Sequence, residues 1–289
     1  MEGAASNVAR LLATDPKRIF VIAEAGLNHG GSKERALALV RAAKWAGADA
    51  VKFQSFRIER VADSHPVRTF AGQGLKMQIE FKNPDLSHDA LCAVYREAHR
   101  LEIEIFAAPH DEDSTDLSDK LGARAFKIES GGIARRPWIK HVGRKAKPVL
   151  LSTEMSSTEE VRTAVEWMSA ESNDQTILMH GVSAYPATGE ELNLKVIHQL
   201  RKKFGFPIGF MDNTVGGLAA ITAVSLGAQL IERHLSVDNL SSAEAQAVSM
   251  DPKHFKTHID ELRRIGVILK ARESHAVKPR VRLAVAANR

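Results

Sequence analysis

Lys52 and Lys127 each close a short apolar run that follows a glycine, and Glu232 closes a third run of the same form. The phrases are Ala46-Gly47-Ala48-Asp49-Ala50-Val51-Lys52, Leu121-Gly122-Ala123-Arg124-Ala125-Phe126-Lys127 and Leu226-Gly227-Ala228-Gln229-Leu230-Ile231-Glu232. Each reads as a helix stop, a buried parallel strand and a polar group delivered to the strand's C-terminal end. Strand side chains alternate in direction, so a charge in that place is either solvated or aimed into a site. Two buried ammonium groups in equivalent places repel one another unless an anion lies between them. The pair therefore points to a ligand with phosphate or carboxylate oxygens. Ser130 beside Gly131-Gly132, and Ser152 beside Thr153, add hydroxyls and approachable backbone amides for the same anion.

The elements that must position these groups alternate along the chain. Apolar runs are predicted as strands at 19–23, 50–53, 103–107, 125–128, 149–151, 176–179, 207–210 and 230–231. Helical periodicity falls near 33–45, 87–100, 115–120, 137–142, 157–168, 192–204, 217–226 and 252–270. About eight such units close into a single α/β TIM barrel, with an open doubly wound sheet as the alternative. The first loop, Gly26-Leu27-Asn28-His29-Gly30-Gly31, lacks the spacing of a dinucleotide fingerprint, which disfavours the open sheet. In a barrel the functional groups lie just after the strands. Those positions hold Glu24, Asn28 and His29; Lys52 and Gln54; His110 and Asp111; Lys127, Glu129 and Ser130; Ser152, Thr153 and Glu154; His180, Ser183 and Tyr185; Asp212 and Asn213; Glu232 and His234.

Composition narrows the class. The 289 residues, 44% hydrophobic and 26% charged, are enough for one large core, with Gly and Pro scattered. The single cysteine, Cys92, excludes an intramolecular disulfide and a thiolate zinc site, and is read as core. No apolar run approaches a membrane span and the N-terminus lacks a secretory pattern, so a cytoplasmic protein with no membrane partner is expected. The net charge of +5 is concentrated in Lys270, Arg272, Lys278, Arg280, Arg282 and Arg289, without interleaved aromatics. It reads as a solvated tail, and no nucleic-acid partner is expected.

Taken in order, the motifs Ile22-Ala23-Glu24-Ala25-Gly26-Leu27-Asn28-His29-Gly30-Gly31, Val51-Lys52-Phe53-Gln54, Phe126-Lys127-Ile128-Glu129-Ser130-Gly131, Leu151-Ser152-Thr153, Tyr185-Pro186 and Ile231-Glu232-Arg233-His234 resemble the N-acetylneuraminate (sialic acid) and nonulosonic acid synthases. The resemblance spans roughly 18–270. It implies a TIM barrel that takes phosphoenolpyruvate and an aldose-type acceptor, forms a 2-keto-3-deoxy sugar acid and releases phosphate. It further implies that Lys52, Lys127, Ser130, Ser152 and Ser183 hold phosphoenolpyruvate, that Asn28, Tyr185 and Asp212 bind substrate, and that Glu24, Gln54, Asn213 and His234 serve catalysis. A homodimer is expected.

The departures from that pattern cluster. The family's Asp-His-Thr after strand seven is Asp212-Asn213-Thr214, so of two metal-binding histidines only His234 is matched. One imidazole, with Asp212 the only adjacent carboxylate, leaves room for weak Mg²⁺ or Mn²⁺ at His234 and no tightly bound cofactor. Asn213 is then expected to donate a hydrogen bond to the developing alkoxide. Met211, Ala108-Pro109-His110, Gly132 and Ala243-Glu244-Ala245-Gln246 also differ, and Glu154 stands in place of a glycine beside the presumed phosphate site. The expected organisation is an extension over 1–17, a barrel over 18–272 and a basic tail over 273–289, without the family's C-terminal antifreeze-like domain. Besides the synthase, the residues leave open another reaction at the same anion site, or a non-catalytic ligand-binding barrel. His99, His141 and His198 read as helix-surface or capping residues, and Trp45, Trp138 and Trp167 as barrel packing.

Overall fold

The computed structural model describes residues 18–55, 86–238 and 243–269. The expected extension over 1–17 and the tail over 273–289 lie outside them. Eight strands form a closed parallel barrel in chain order: β1 (Phe20–Gly26), β2 (Ala50–Ser55), β3 (Glu104–Pro109), β4 (Ala125–Ile128), β5 (Val149–Ser152), β6 (Thr176–His180), β7 (Ile208–Asp212) and β8 (Leu230–His234). The open-sheet alternative is excluded by the β1–β8 ladder, in which Phe20 pairs Leu230 and Glu24 pairs His234.

Helices α1 (Lys33–Ala46), α2 (His88–Arg100), α3 (Glu112–Leu121), α4 (Arg136–Gly143), α5 (Thr158–Ser169), α6 (Lys195–Phe204) and α7 (Leu218–Ser225) connect the strands, and α8 (Ala243–Val248) and α9 (Pro252–Leu269) follow β8. The three glycines of the repeated phrase do the same job. Gly47, Gly122 and Gly227 have φ of 88°, 96° and 104°, a left-handed conformation that ends a helix and turns the chain into the next strand. Helix α3 starts earlier than the periodicity predicts because Asp111 caps it, its side chain accepting from Ser114 N at 2.6 Å.

Strand alternation divides the buried residues into two sets. Val51, Phe53, Ile105, Phe126, Ile128, Leu151, Leu178, Phe210 and Ile231 point outward and pack under the helices. Phe20, Ile22, Ala50, Phe106, Ala125, Leu150, Ile177, Met179 and Leu230 fill the barrel interior, with the Phe20 and Phe106 rings stacked 5.8 Å apart. This column is the apolar floor on which the inward residues of the strand ends stand. Two expectations about packing are corrected. Cys92 is half-buried on α2, with Sγ 3.5 Å from His88 Nε2. Trp45 is 60% exposed, because it lies on the solvent side of α1. Trp138 is buried and donates to Thr115 Oγ1 at 3.1 Å. His141 pairs with Asp116 on the helix surface at 2.7 Å.

Candidate active site

One residue along β2 from Val51, and one along β4 from Phe126, alternation turns Lys52 and Lys127 inward above the floor, where they are 1% and 0% exposed. Three carboxylates meet them. Lys52 Nζ lies 2.9 Å from Glu24 Oε2, 3.0 Å from Glu129 Oε1 and 2.9 Å from Glu232 Oε1. Lys127 Nζ lies 2.8 Å from Glu232 Oε1, 3.3 Å from Glu129 Oε2 and 3.1 Å from Met211 Sδ. The inference that two buried ammoniums demand an external anion is therefore corrected. The fold supplies the counter-charge itself, through carboxylates that reach the lysines from β1, β8 and the end of β4.

A fourth carboxylate, Glu154, lies just past β5 and accepts from Ser183 Oγ at 2.6 Å. It fits because Gly181 has no side chain: a Cβ there would sit 2.7 Å from Glu154 Oε1. The four carboxyls divide by environment. Burial pushes Glu129 and Glu232 up, but Lys127 and Lys52 outweigh it and hold both below the usual carboxylate range. For Glu24 burial wins over Lys52, with Glu232 adding repulsion, and its pKa is pushed up to about 7. Burial also raises Glu154, against Lys127 and Ser183. Two ammoniums thus face two firm carboxylates, Glu129 and Glu232, while burial favours the protonated form of Glu24 and raises Glu154.

His234 ends β8 opposite Glu24. Burial lowers its pKa to about 4, so the ring is neutral near pH 7, and its Nδ1 has no hydrogen-bond partner. The Tyr185 ring meets it edge-on at 5.9 Å. Asn213 donates through Nδ2 to the Val182 carbonyl at 2.9 Å, while its Oδ1 is buried without a partner. The Nδ2 of the expected donor role is thus engaged with Val182, and the unmatched atom of the amide is the acceptor Oδ1. Ser152 Oγ, Glu24 Oε1, Glu154 Oε1 and Glu232 Oε2 are likewise buried without hydrogen-bond partners. Buried polar atoms are rarely left so, and these six stand together at the barrel mouth, which makes it the candidate ligand site.

Other expected residues fall elsewhere. Asp212 is one residue out of phase with Met211 and Asn213, so it faces outward. Its Oδ2 lies 2.9 Å from Arg233 NH1 and its Oδ1 accepts from Thr214 N and Oγ1 at 2.9 and 2.7 Å, which removes it from the substrate site. Asn28 is engaged in a contact between loops. Its Nδ2 donates to Leu235 O at 2.8 Å and Ser249 Oγ at 3.2 Å, tying the β1 loop to the segment after β8. His29 accepts from Gly31 N at 3.0 Å and stacks on Phe53, on the outer side of the sheet. His180 bonds the Leu192 carbonyl at 2.8 Å. Gln54 is half-buried near the end of β2, and Ser130 opens a one-turn 3-10 helix over Ser130–Gly132. Ser183 stays at the site, but its hydroxyl is committed to Glu154.

Glu129 and Glu232, expected at strand ends with no assigned role, prove to be the counter-charges of the lysines, and strand parity carried that signal. Each stands two residues from a named site residue, Lys127 and His234, and so shares its face of the strand. At the two positions where the family it resembles carries metal-binding histidines, this chain offers one neutral imidazole nitrogen and one amide oxygen, and the adjacent carboxylate, Asp212, is turned away onto Arg233. Among the described residues no group of three His, Cys, Asp or Glu side chains is arranged to hold an ion. The side chains of 243–245 lie outside the described residues.

The barrel has counterparts in known proteins. The NeuB family profile matches residues 39–274. N,N'-diacetyllegionaminic acid synthase of Legionella pneumophila is 34% identical over 263 residues, which cover 88% of this chain and 74% of that protein. The spore coat polysaccharide biosynthesis protein SpsE of Bacillus subtilis is 34% identical over 272 residues, covering 92% and 73%. The crystal structure of N-acetylneuraminic acid (sialic acid) synthetase from Leptospira borgpetersenii in complex with citrate superposes with a TM-score of 0.80 at 30% identity, covering 91% of this chain and 88% of that one. With a profile that spans most of the chain, relatives above 30% identity along most of its length and the same closed barrel, the chain belongs to the NeuB family, alongside synthases of sialic and legionaminic acids.

Proposed function

We propose that this barrel is a phosphoenolpyruvate-dependent condensing synthase that joins the three-carbon unit to an aldose-type acceptor and releases phosphate. The observation that carries the reading is the pair Lys52 and Lys127 at the barrel mouth, ringed by unpartnered buried polar atoms. The names of the NeuB relatives supply the reaction class.

The two lysines and Ser152 hold the phosphate and carboxylate oxygens, with Ser130 at the rim. C3 of the enol attacks the aldehyde carbon, forming the carbon–carbon bond and turning the aldehyde oxygen into an alkoxide. Glu24, with a pKa near that of a neutral medium, donates the proton the alkoxide needs. Water adds to the cationic C2 and gives up a proton. Neutral His234, with Nδ1 free, accepts it. Collapse of the adduct breaks the C2–O bond to the phosphate, which leaves with the C2 hydroxyl proton, and the 2-keto acid remains. Asn213 Oδ1 accepts from an acceptor hydroxyl, and Tyr185 and Gln54 border the acceptor. No step is assigned to a metal, because the imidazole and amide here make a poor site for one.

The test is phosphate release from phosphoenolpyruvate with a panel of aldoses and N-acylated aminosugars, with and without manganese. Acceptor-dependent release that needs no metal supports the reading. Release without an acceptor indicates a different reaction at the same site, and no turnover with any acceptor indicates a binding protein.

A further inference from the structure

The space between Lys52 and Lys127 already has an occupant that bridges them. Glu129 places Oε1 3.0 Å from Lys52 Nζ and Oε2 3.3 Å from Lys127 Nζ, the two-point contact expected of a bound anion. Glu129 differs from the other two carboxylates on the lysines. Glu24 and Glu232 stand within strands, and their side chains are 3% and 1% exposed. Glu129 is the first residue beyond β4, caps the 3-10 turn with extended backbone (φ −69°, ψ 155°), and keeps 24% of its side chain exposed. Within that turn, Gly131 is exposed, and a Cβ there would meet nothing within 4 Å. Glu129 thus lies at a strand end on the mouth side of the lysines and is partly open to solvent, whereas Glu232 lies within β8 and is fully buried.

We propose that Glu129 is a tethered carboxylate filling the anion subsite, which a ligand's anionic group must displace to reach Lys52 and Lys127, so that it sets both the affinity and the charge selectivity of the site. A tethered group competes at a high effective concentration, so a ligand wins only by interacting more strongly than a carboxylate does. A simple monocarboxylate offers the same two oxygens and one charge, and gains little. A phosphate dianion brings a third oxygen and a second charge, and can also reach the unpartnered Ser152 Oγ. When Glu129 leaves, Glu232 Oε1 still contacts both lysines and Glu24 still contacts Lys52, so the cluster keeps its counter-charge. This rests on the reading of the mouth as an anion site, and extends it by naming the residue that screens what enters.

The experiment is calorimetric titration of the full chain and of Glu129→Gln and Glu129→Ala with phosphoenolpyruvate, inorganic phosphate and acetate. Circular dichroism confirms folding, and Glu129→Gln keeps the volume should the alanine variant fail to fold. Both substitutions are expected to tighten phosphoenolpyruvate and phosphate at least tenfold and to bring acetate binding into measurable range. Wild-type binding of phosphoenolpyruvate with equal or weaker binding in the folded variants overturns the role of Glu129 and leaves the substrate reading standing. Phosphate tightened by the substitutions, with phosphoenolpyruvate bound no better than phosphate, supports Glu129's role and removes the substrate reading. Absence of binding to every form overturns both.

Discussion

Lys52 and Lys127, from strands two places apart in the barrel, share a single oxygen: Glu232 Oε1 lies 2.9 Å from one ammonium and 2.8 Å from the other. With all three side chains at most 1% exposed, the bridge is what makes two buried cations tolerable side by side. Removing one partner of a buried charge pair leaves the other uncompensated. Glu232→Gln should therefore destabilise the fold by about 3 to 5 kcal/mol in urea denaturation. A loss under 1 kcal/mol would mean that Glu24 and Glu129 neutralise the lysines unaided.

Lys127→Ala should weaken phosphoenolpyruvate binding by about 2 to 5 kcal/mol, as for truncation of a desolvated charge contact. The measurement is calorimetry at fixed ionic strength. Unchanged affinity takes Lys127 out of the ligand site and reduces it to a partner of Glu232.

Glu24 makes stability depend on pH in an unusual direction for a carboxyl. Its folded pKa of about 7 lies above the ordinary 4.5, so between those values the unfolded chain ionises first and binds fewer protons. This contribution is present in full below pH 4.5 and is lost as pH rises towards 7, by up to about 3 kcal/mol. Glu24→Gln should flatten that part of the profile, and a variant whose stability changes with pH as the wild type's does would show that another group titrates there.

The neutral histidines act in the opposite pH direction. His29 and His234 are both lowered to about 4 by burial, from 6.5. The unfolded chain therefore takes up protons first as pH falls through 6.5, and stability drops from there down to about pH 4, by up to about 3 kcal/mol for each ring. NMR titration of the imidazole resonances should show two rings that stay neutral at pH 5.5. Midpoints near 6.5 for both would contradict the burial seen here.

Asn213→His would place a second imidazole beside His234 in the position the family pattern assigns to one. The variant should retain manganese or zinc through dialysis in metal-free buffer while the wild type does not, read by elemental analysis of the protein. Stoichiometric metal in the wild type after chelator dialysis would show that the amide is no obstacle to a tight site.

How far the sequence reaches can be seen residue by residue. Strand and helix alternation, with a glycine stop before β2, β4 and β8, determined the closed barrel, because left-handed helix ends and period-two burial are local properties. The same parity located Lys52, Lys127 and His234 at the mouth. It also held the means to separate inward Asn213 from outward Asp212, since neighbours on a strand cannot share a face. Other features were decided only by the tertiary structure. Asn28 finds its partners 207 and 221 residues away, across the barrel seam. Whether the two lysines needed an external anion depended on carboxylates from β1, β8 and the end of β4 converging on one point, and that convergence exists only once the barrel closes. The protonation of Glu24 followed from the same closure, because burial acting against two nearby ammoniums is a property of the assembled site and of no single segment.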